Sequence, residues 1–227
     1  MENFRRQLAR SATRFEIGGF RPPQDEFESW FGRVNVCAPG ESWPESGGKP
    51  MHALCQINMR TLATRPERLA DIDLIAIFVG PDDLPIDTPN GENSCLRAYK
   101  NIDTLVGLPP RDTKSQIRAL PMRPIAIQED FPCWEDVPTE IAAEVDEHYF
   151  DLFENIGGLK LGGWPMLVQS EIYWAPWNRH PALPEYVFQI DSTEKGNWMW
   201  GDAGVGYFGR GTAPGMEDEW ALAWQCL

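Results

Sequence analysis

Leu54-Cys55-Gln56-Ile57-Asn58 leads, after a polar gap, into Asp73-Leu74-Ile75-Ala76-Ile77-Phe78. The same order of residue types returns as Val187-Phe188-Gln189-Ile190-Asp191, followed by Asp202-Ala203-Gly204-Val205-Gly206-Tyr207-Phe208. Each copy is an apolar run ending in Gln-Ile-Asn/Asp, a loop, and a second Asp-led run ending in Phe. Short apolar runs bounded by turn residues read as buried strands. Two strands joined by a variable loop, present twice, predict an internal duplication. Its halves would be residues 1–125 and 126–227, packed as one compact unit. A looser third match lies upstream, in Gly48-Lys49-Pro50 and Gly163-Trp164-Pro165.

Two helices are expected beside these strands. Phe4, Leu8, Ala12 and Phe15 recur at helical spacing, so Asn3 to Phe15 reads as an amphipathic, Arg-rich helix docked on the surface. Thr139 to Ile156 reads as a central helix, with an apolar stripe at Ile141, Val145, Tyr149, Leu152 and Ile156. Thr139 would cap its start and Gly157-Gly158 would end it. The expected fold class is therefore α+β: mainly antiparallel sheet from two diverged repeats, with an N-terminal helix and a central acidic helix.

The chain has 227 residues and a formal charge of −14, from 20 Lys plus Arg against 34 Asp plus Glu. Such a surface disfavours nucleic acid and anionic membrane, and attracts basic protein patches. No apolar run approaches the ~20 residues of a membrane span, and no secretory signal is legible, so a cytoplasmic location is expected. Cys37, Cys55, Cys95, Cys133 and Cys226 are odd in number and lack metal-ligand spacing. That argues against a disulfide framework and a zinc site; no metal or cofactor is expected.

Gly204-Val205-Gly206-Tyr207-Phe208-Gly209 has the spacing of a dinucleotide loop, but no helix can follow it. Its glycines are expected inside a strand, permitting a bulge or close packing. Glu144 and His148 share a helix face without a third ligand. Nucleophile-elbow, zinc-helix and phosphate-loop motifs are absent, which weighs against an enzyme. Gln56, Asn58, Gln189 and Asp191, with Trp200 and Asp202, could converge on a polar site between the halves; alternatively they satisfy local backbone groups. Trp174 and Trp177 flank Pro176 in a polar loop and could form a hot spot or plug a core. From Glu129 to Glu154 there are ten carboxylates and no Lys or Arg, among them Glu140, Glu144, Glu147 and Asp151. This face either meets a basic partner or is merely solvated.

Three stretches resemble the YwqG-like family, a bacterial group named for a protein of unassigned function. They are Trp43-Pro44 with Gly48-Lys49-Pro50-Met51 running on to Asn58; Lys160-Leu161-Gly162-Gly163-Trp164-Pro165; and Phe188 to Asp191 with Trp200 to Phe208. Where that family has Gly-Gly-X-Pro in its first half, this chain has Phe31-Gly32-Arg33-Val34-Asn35, so Arg33 and Asn35 depart from the pattern. The resemblance implies an α+β protein rich in antiparallel sheet, no established activity, no transferable catalytic residues, and a link to toxin immunity. The expectation is a non-enzymatic binding protein using its acidic surface for a basic protein partner. The alternative is a small-molecule-binding protein or hydrolase with a polar site between the halves.

Overall fold

The computed structural model describes residues 2–22, 24–145 and 148–227, and their side chains except those at 2 and 143–145. Ten strands form one antiparallel sheet: β1 (Arg10–Ile17), β2 (Trp30–Phe31), β3 (His52–Asn58), β4 (Leu74–Val79), β5 (Ser94–Tyr99), β6 (Leu120–Asp130), β7 (Lys160–Gly162), β8 (Glu185–Asp191), β9 (Val205–Arg210) and β10 (Trp220–Gln225). Their spatial order is β10-β9-β8-β7-β1-β6-β2-β3-β4-β5. A three-strand meander lies at each edge, and the long strands β1 and β6 pair in the middle. Residue 125 falls inside β6, so the sheet runs through the position taken from sequence as the divide between halves.

The two meanders share a local irregularity. The register between β3 and β4 shifts between Ala53 and Cys55, and that between β8 and β9 shifts between Tyr186 and Phe188. One extra residue therefore sits in each strand, at Leu54 and at Val187, and such a bulge bends its strand and tightens the twist. Past the shift, Gln56 faces Ala76 and Gln189 faces Tyr207. By place, Phe208 thus corresponds to Ile77 and not to Phe78, one residue off the alignment that sequence alone suggests.

The sheet curls until its edges meet. Ile57, Ile75, Ile77, Phe188, Ile190 and Phe208 face one another across a single apolar interior. At the rim, Ser94 and Leu96 of β5 approach Trp220 to Leu222 of β10, with Ile77 and Phe208 beneath. No backbone ladder joins these two strands among the described residues; side chains bridge them. Trp224 Nε1 donates to Pro85 O at 2.7 Å. Arg210, nearly buried, holds Asp71 with both Nη atoms, at 2.5 and 2.8 Å, and reaches Asp218 at 3.0 Å. Lys100 Nζ lies 2.8 Å from Asp218. On the edge of β5 that faces β10, the Asn90 amide accepts from Leu96 N at 2.7 Å and donates to Leu96 O at 3.0 Å.

The result is a nearly closed β-barrel that is only 12 % helical, which overturns the α+β expectation. The N-terminal helix, α1, ends at Leu8 (Glu2–Leu8), and Ala12 and Phe15 belong to β1. Ala12 and Phe15, three apart, are both buried but on opposite faces of β1, so their helical spacing to Phe4 and Leu8 carries no helix past Leu8. The central acidic helix is two short pieces, α2 (Thr139–Val145) and α3 (Tyr149–Leu152). Leu152 is exposed and Phe153 is buried in its stead. The chain leaves the helix because Asn155 Nδ2 donates to Phe131 O, at 2.6 Å, and Ile156 N donates to Asp130 Oδ1, at 2.8 Å. These bonds bring residues 155 and 156 to the end of β6 instead of continuing the turn.

The rim has a pH signature. Hydrogen bonds from Arg210 hold the Asp71 carboxyl below its usual range, and Lys100 and Arg210 do the same for Asp218. A depressed carboxylate adds stability above its unfolded pKa, about 3.9 for Asp, and loses it as pH falls through the folded value. Urea midpoints should therefore fall from pH 5 towards pH 2. Asp71→Asn should lower the midpoint at pH 7 and flatten that slope; parallel curves for the two proteins would refute the coupling.

Candidate functional site

The residues singled out from sequence do not share a cavity. Around the ring of strands β3 and β8 lie five places apart in either direction, so Gln56 and Asn58 are across the barrel from Gln189 and Asp191. Gln56 is fully buried: its Oε1 accepts from Asn35 N at 2.8 Å, and its Nε2 donates to Glu26 O and Glu28 O, each at 2.9 Å. Asn58 Oδ1 accepts from Arg60 N and starts a short turn. Gln189 Oε1 accepts from Met166 N, and its Nε2 donates to Asp191 Oδ1 at 2.7 Å. Asp191 Oδ2 accepts from Gly158 N at 2.6 Å; burial nonetheless raises its carboxyl above the usual range. Trp200 is buried inside the barrel with Nε1 unpaired, and Asp202 lies in an exposed turn. All but the last are frame.

The glycine-rich run is strand, as its sequence context required. A Cβ on Gly206 would come within 2.5 Å of the Trp200 indole, and one on Gly209 within 2.8 Å of Trp174. Those glycines exist to let tryptophans pack on the strand. Trp174 is thus partly packed, whereas Trp177 is 81 % exposed with φ of +55°, a rare backbone for so large a side chain.

A cleft of about 800 Å³ opens elsewhere, on the outer side of the first meander. Three segments supply its walls: Gln24 to Asn35 with Arg21 and Pro22, then Trp43, and Leu108 to Ser115. Gly32 turns the chain out of β2 with φ of +68°, where a Cβ would stand 2.4 Å from Arg118 O, so only glycine fits. Arg33 then stacks over Trp30, 4.9 Å from the ring centroid, and its Nε donates to Asn35 Oδ1 at 2.5 Å. The opposite wall is Leu108, Pro110, Arg111, Thr113 and Ser115. Trp43 is fixed by Nε1 donating to Met51 O and by edge packing on Phe78. Gln56, behind the wall, ties the segment from Glu26 to Asn35 down. A second groove of about 590 Å³, along Glu41 to Glu45 and Leu108 to Arg111, continues from it through Trp43 and Arg111.

The acidic face is partly neutralised from within. Arg5 pairs with Glu129, and Lys160 pairs with Asp130 at 2.8 Å with both side chains 0 % exposed. Burial lowers the Lys160 pKa, and Asp130 opposes that shift. Burial, then Glu135, raises Asp136. Glu140, Asp151 and Glu154 remain exposed beside Phe150, which is 74 % exposed. The side chains of Glu144 and Glu147 lie outside the described residues. Among the described residues no cluster of His, Cys, Asp or Glu could hold a metal, and no helix is long and apolar enough to cross a membrane.

Fold and site together define a nearly closed antiparallel β-barrel with a cleft on its outer wall. The chain belongs to the family described as Domain of unknown function (DUF1963), whose model matches residues 29–209. That span runs from the start of β2 to the last residues of β9, and includes Trp30, Arg33, Asn35 and Gln56. The match carries no YwqG-like assignment, which stays a resemblance. No curated protein matches the chain.

Gln56→Leu strands an amide and two carbonyls. Leaving such groups buried and unpaired should cost about 1–3 kcal/mol, read by urea unfolding, and should speed hydrogen exchange at Asn35 while amides of β8 keep their protection. Unchanged exchange at Asn35 would show that Gln56 does not hold the cleft wall.

Proposed function

We propose that this is a cytoplasmic binding protein whose ligand occupies the cleft between residues 21–35 and 108–115. One observation carries the reading: the cleft is ligand-sized and its wall is locked from behind. Small-molecule sites typically measure about 300–1,000 Å³ and combine apolar surface with a few fixed polar groups. Here Val34, Ala53, Leu108, Trp30 and Trp43 supply the former, and Arg33 and Asn35 the latter. The lining has no His, Cys or Lys among the described residues, and its carboxylates, Asp25 and Glu26, make no hydrogen bond to its hydroxyls, Thr113 and Ser115, so no base is set against a nucleophile there. That supports binding over catalysis. Ser115→Trp should fill the cleft without touching the barrel interior. Protein purified from its own cells, desalted and heat-released, should yield a small molecule by mass spectrometry that Ser115→Trp does not retain. Identical profiles from the two proteins would end the proposal.

A second reading rests on Phe150. An exposed phenyl ring among Glu140, Asp151 and Glu154 suits a docking face for a basic protein, toxin immunity being one version of it. Phe150→Ser with Glu140→Lys and Asp151→Lys should weaken poly-lysine binding at least tenfold in fluorescence titrations. Glu92→Lys with Asp87→Lys, an equal change of charge elsewhere, should weaken it far less. Equal losses would reduce the face to bulk charge.

A further inference from the structure

Resting on the cleft reading above, we infer that the ligand is a small organic oxyanion, a carboxylate or phosphate borne on a flat ring, held by Arg21 and Arg33 against the wall of Leu108 and Pro110. The protein as a whole is strongly acidic, yet the lining holds Arg21, Arg33 and Arg111 against Asp25 and Glu26. Their existing partners decide what is left for a ligand. Arg111 reaches Glu45 at 3.3 Å. Asp25, which accepts from Phe27 N at 2.9 Å, and Glu26 keep their charge, and among the described residues neither pairs with an arginine of the lining. Arg21 and Arg33 have no carboxylate partner among the described residues, so two guanidinium groups stand open in one cavity.

Arg33 is also prepared for the task. Asn35 takes its Nε and the Trp30 ring supports its flat face, so the two Nη groups are left to point outward as a fork. A fork fixed in advance pairs with two oxygens of one oxyanion and loses little side-chain entropy in doing so. Asn35 is itself fixed, through Gln56 on its N–H and Glu26 O on its Nδ2. The chain of support thus runs from the buried β3 glutamine to the guanidinium. Trp43 and the Pro110–Leu108 wall supply apolar surface on which a ring can lie. The adjoining groove carries Glu41 and Glu45, so the favourable ground for an anion ends at Arg111. A small molecule fits that limit better than an extended acidic chain.

Calorimetric titration of the intact protein at low salt tests this with four ring compounds: phthalate, phenyl phosphate, benzamide and benzamidine. At least one of the two anions should bind saturably, and the neutral amide and the cation should not. The stronger anion names the oxyanion, carboxylate or phosphate. Arg33→Gln should weaken it at least tenfold with an unchanged melting temperature, and Arg179→Gln, an exposed arginine on the other half, should leave it alone. Binding of benzamidine in preference to both anions, silence from both anions, or an Arg33→Gln protein that binds as the wild type would each overturn the inference. If the cell-derived ligand lost in Ser115→Trp proves uncharged, the cleft stands and the oxyanion falls. If an anion still binds fully to Ser115→Trp, the cleft itself is the wrong place.

Discussion

The two edge strands of this sheet meet without exchanging a backbone hydrogen bond, and the rest of the molecule is arranged around that fact. A ladder would have closed the barrel by geometry alone. Closure here depends instead on apolar residues of β4, β5, β9 and β10 sharing one interior, and on Arg210 gripping Asp71 across the rim. The bulges at Leu54 and Val187 sit in the strands that must bend for the edges to come round.

Buried side-chain amides do the corresponding work on the outer surface. Gln56 fixes the segment from Glu26 to Asn35. Gln225, on the other meander, accepts from Val168 N and Gln169 N and donates to Ser170 O and Glu171 O. Each glutamine offers one acceptor and two donors, so one side chain satisfies several backbone groups of a loop that has no ladder of its own. The loops thereby gain the fixed shape a recognition surface needs, without secondary structure. The same end of β6 that closes the acidic segment is neutralised by Lys160, whose loss would leave Asp130 charged and buried.

Much of the sheet was legible because its strands are apolar on both faces. The runs at Leu54 and Leu74, at Val187 and at Val205 are buried throughout or nearly so, and their length and boundaries marked them as strands. Ile125-Ala126-Ile127 of β6 reads as a short strand, but the part before it was hidden by Pro121 and Pro124, which argue against an interior strand; yet Pro121 pairs with Trp30 and Pro124 with Phe15. Strand β1 was hidden because it is buried on both faces, and Ala12 and Phe15 on those two faces happen to continue the helical spacing of Phe4 and Leu8. The cleft left almost no local trace, since its arginines and tryptophans come from three segments rich in turn residues and meet only through folding. The one signal was Arg33 and Asn35 departing from the Gly-Gly-X-Pro pattern. By place the counterpart of that turn is Gly162-Gly163-Trp164-Pro165, since Phe31 pairs with Cys55 and Leu161 with Phe188, so the match of Gly163-Trp164-Pro165 to Gly48-Lys49-Pro50 drawn from sequence does not hold; this second turn keeps the pattern, and among the described residues it does not line the cleft.

The Asn90 amide on Leu96 has a bearing on why the ring of strands stays open. A strand edge with its N–H and C=O facing outward is a template on which another strand can add. Asn90 and Leu96 lie at the seam with Trp220, Ala221 and Leu222 of β10. By occupying both groups of one residue in the middle of β5, a single side chain takes that template away, so β10 meets an edge whose donors and acceptors are already engaged.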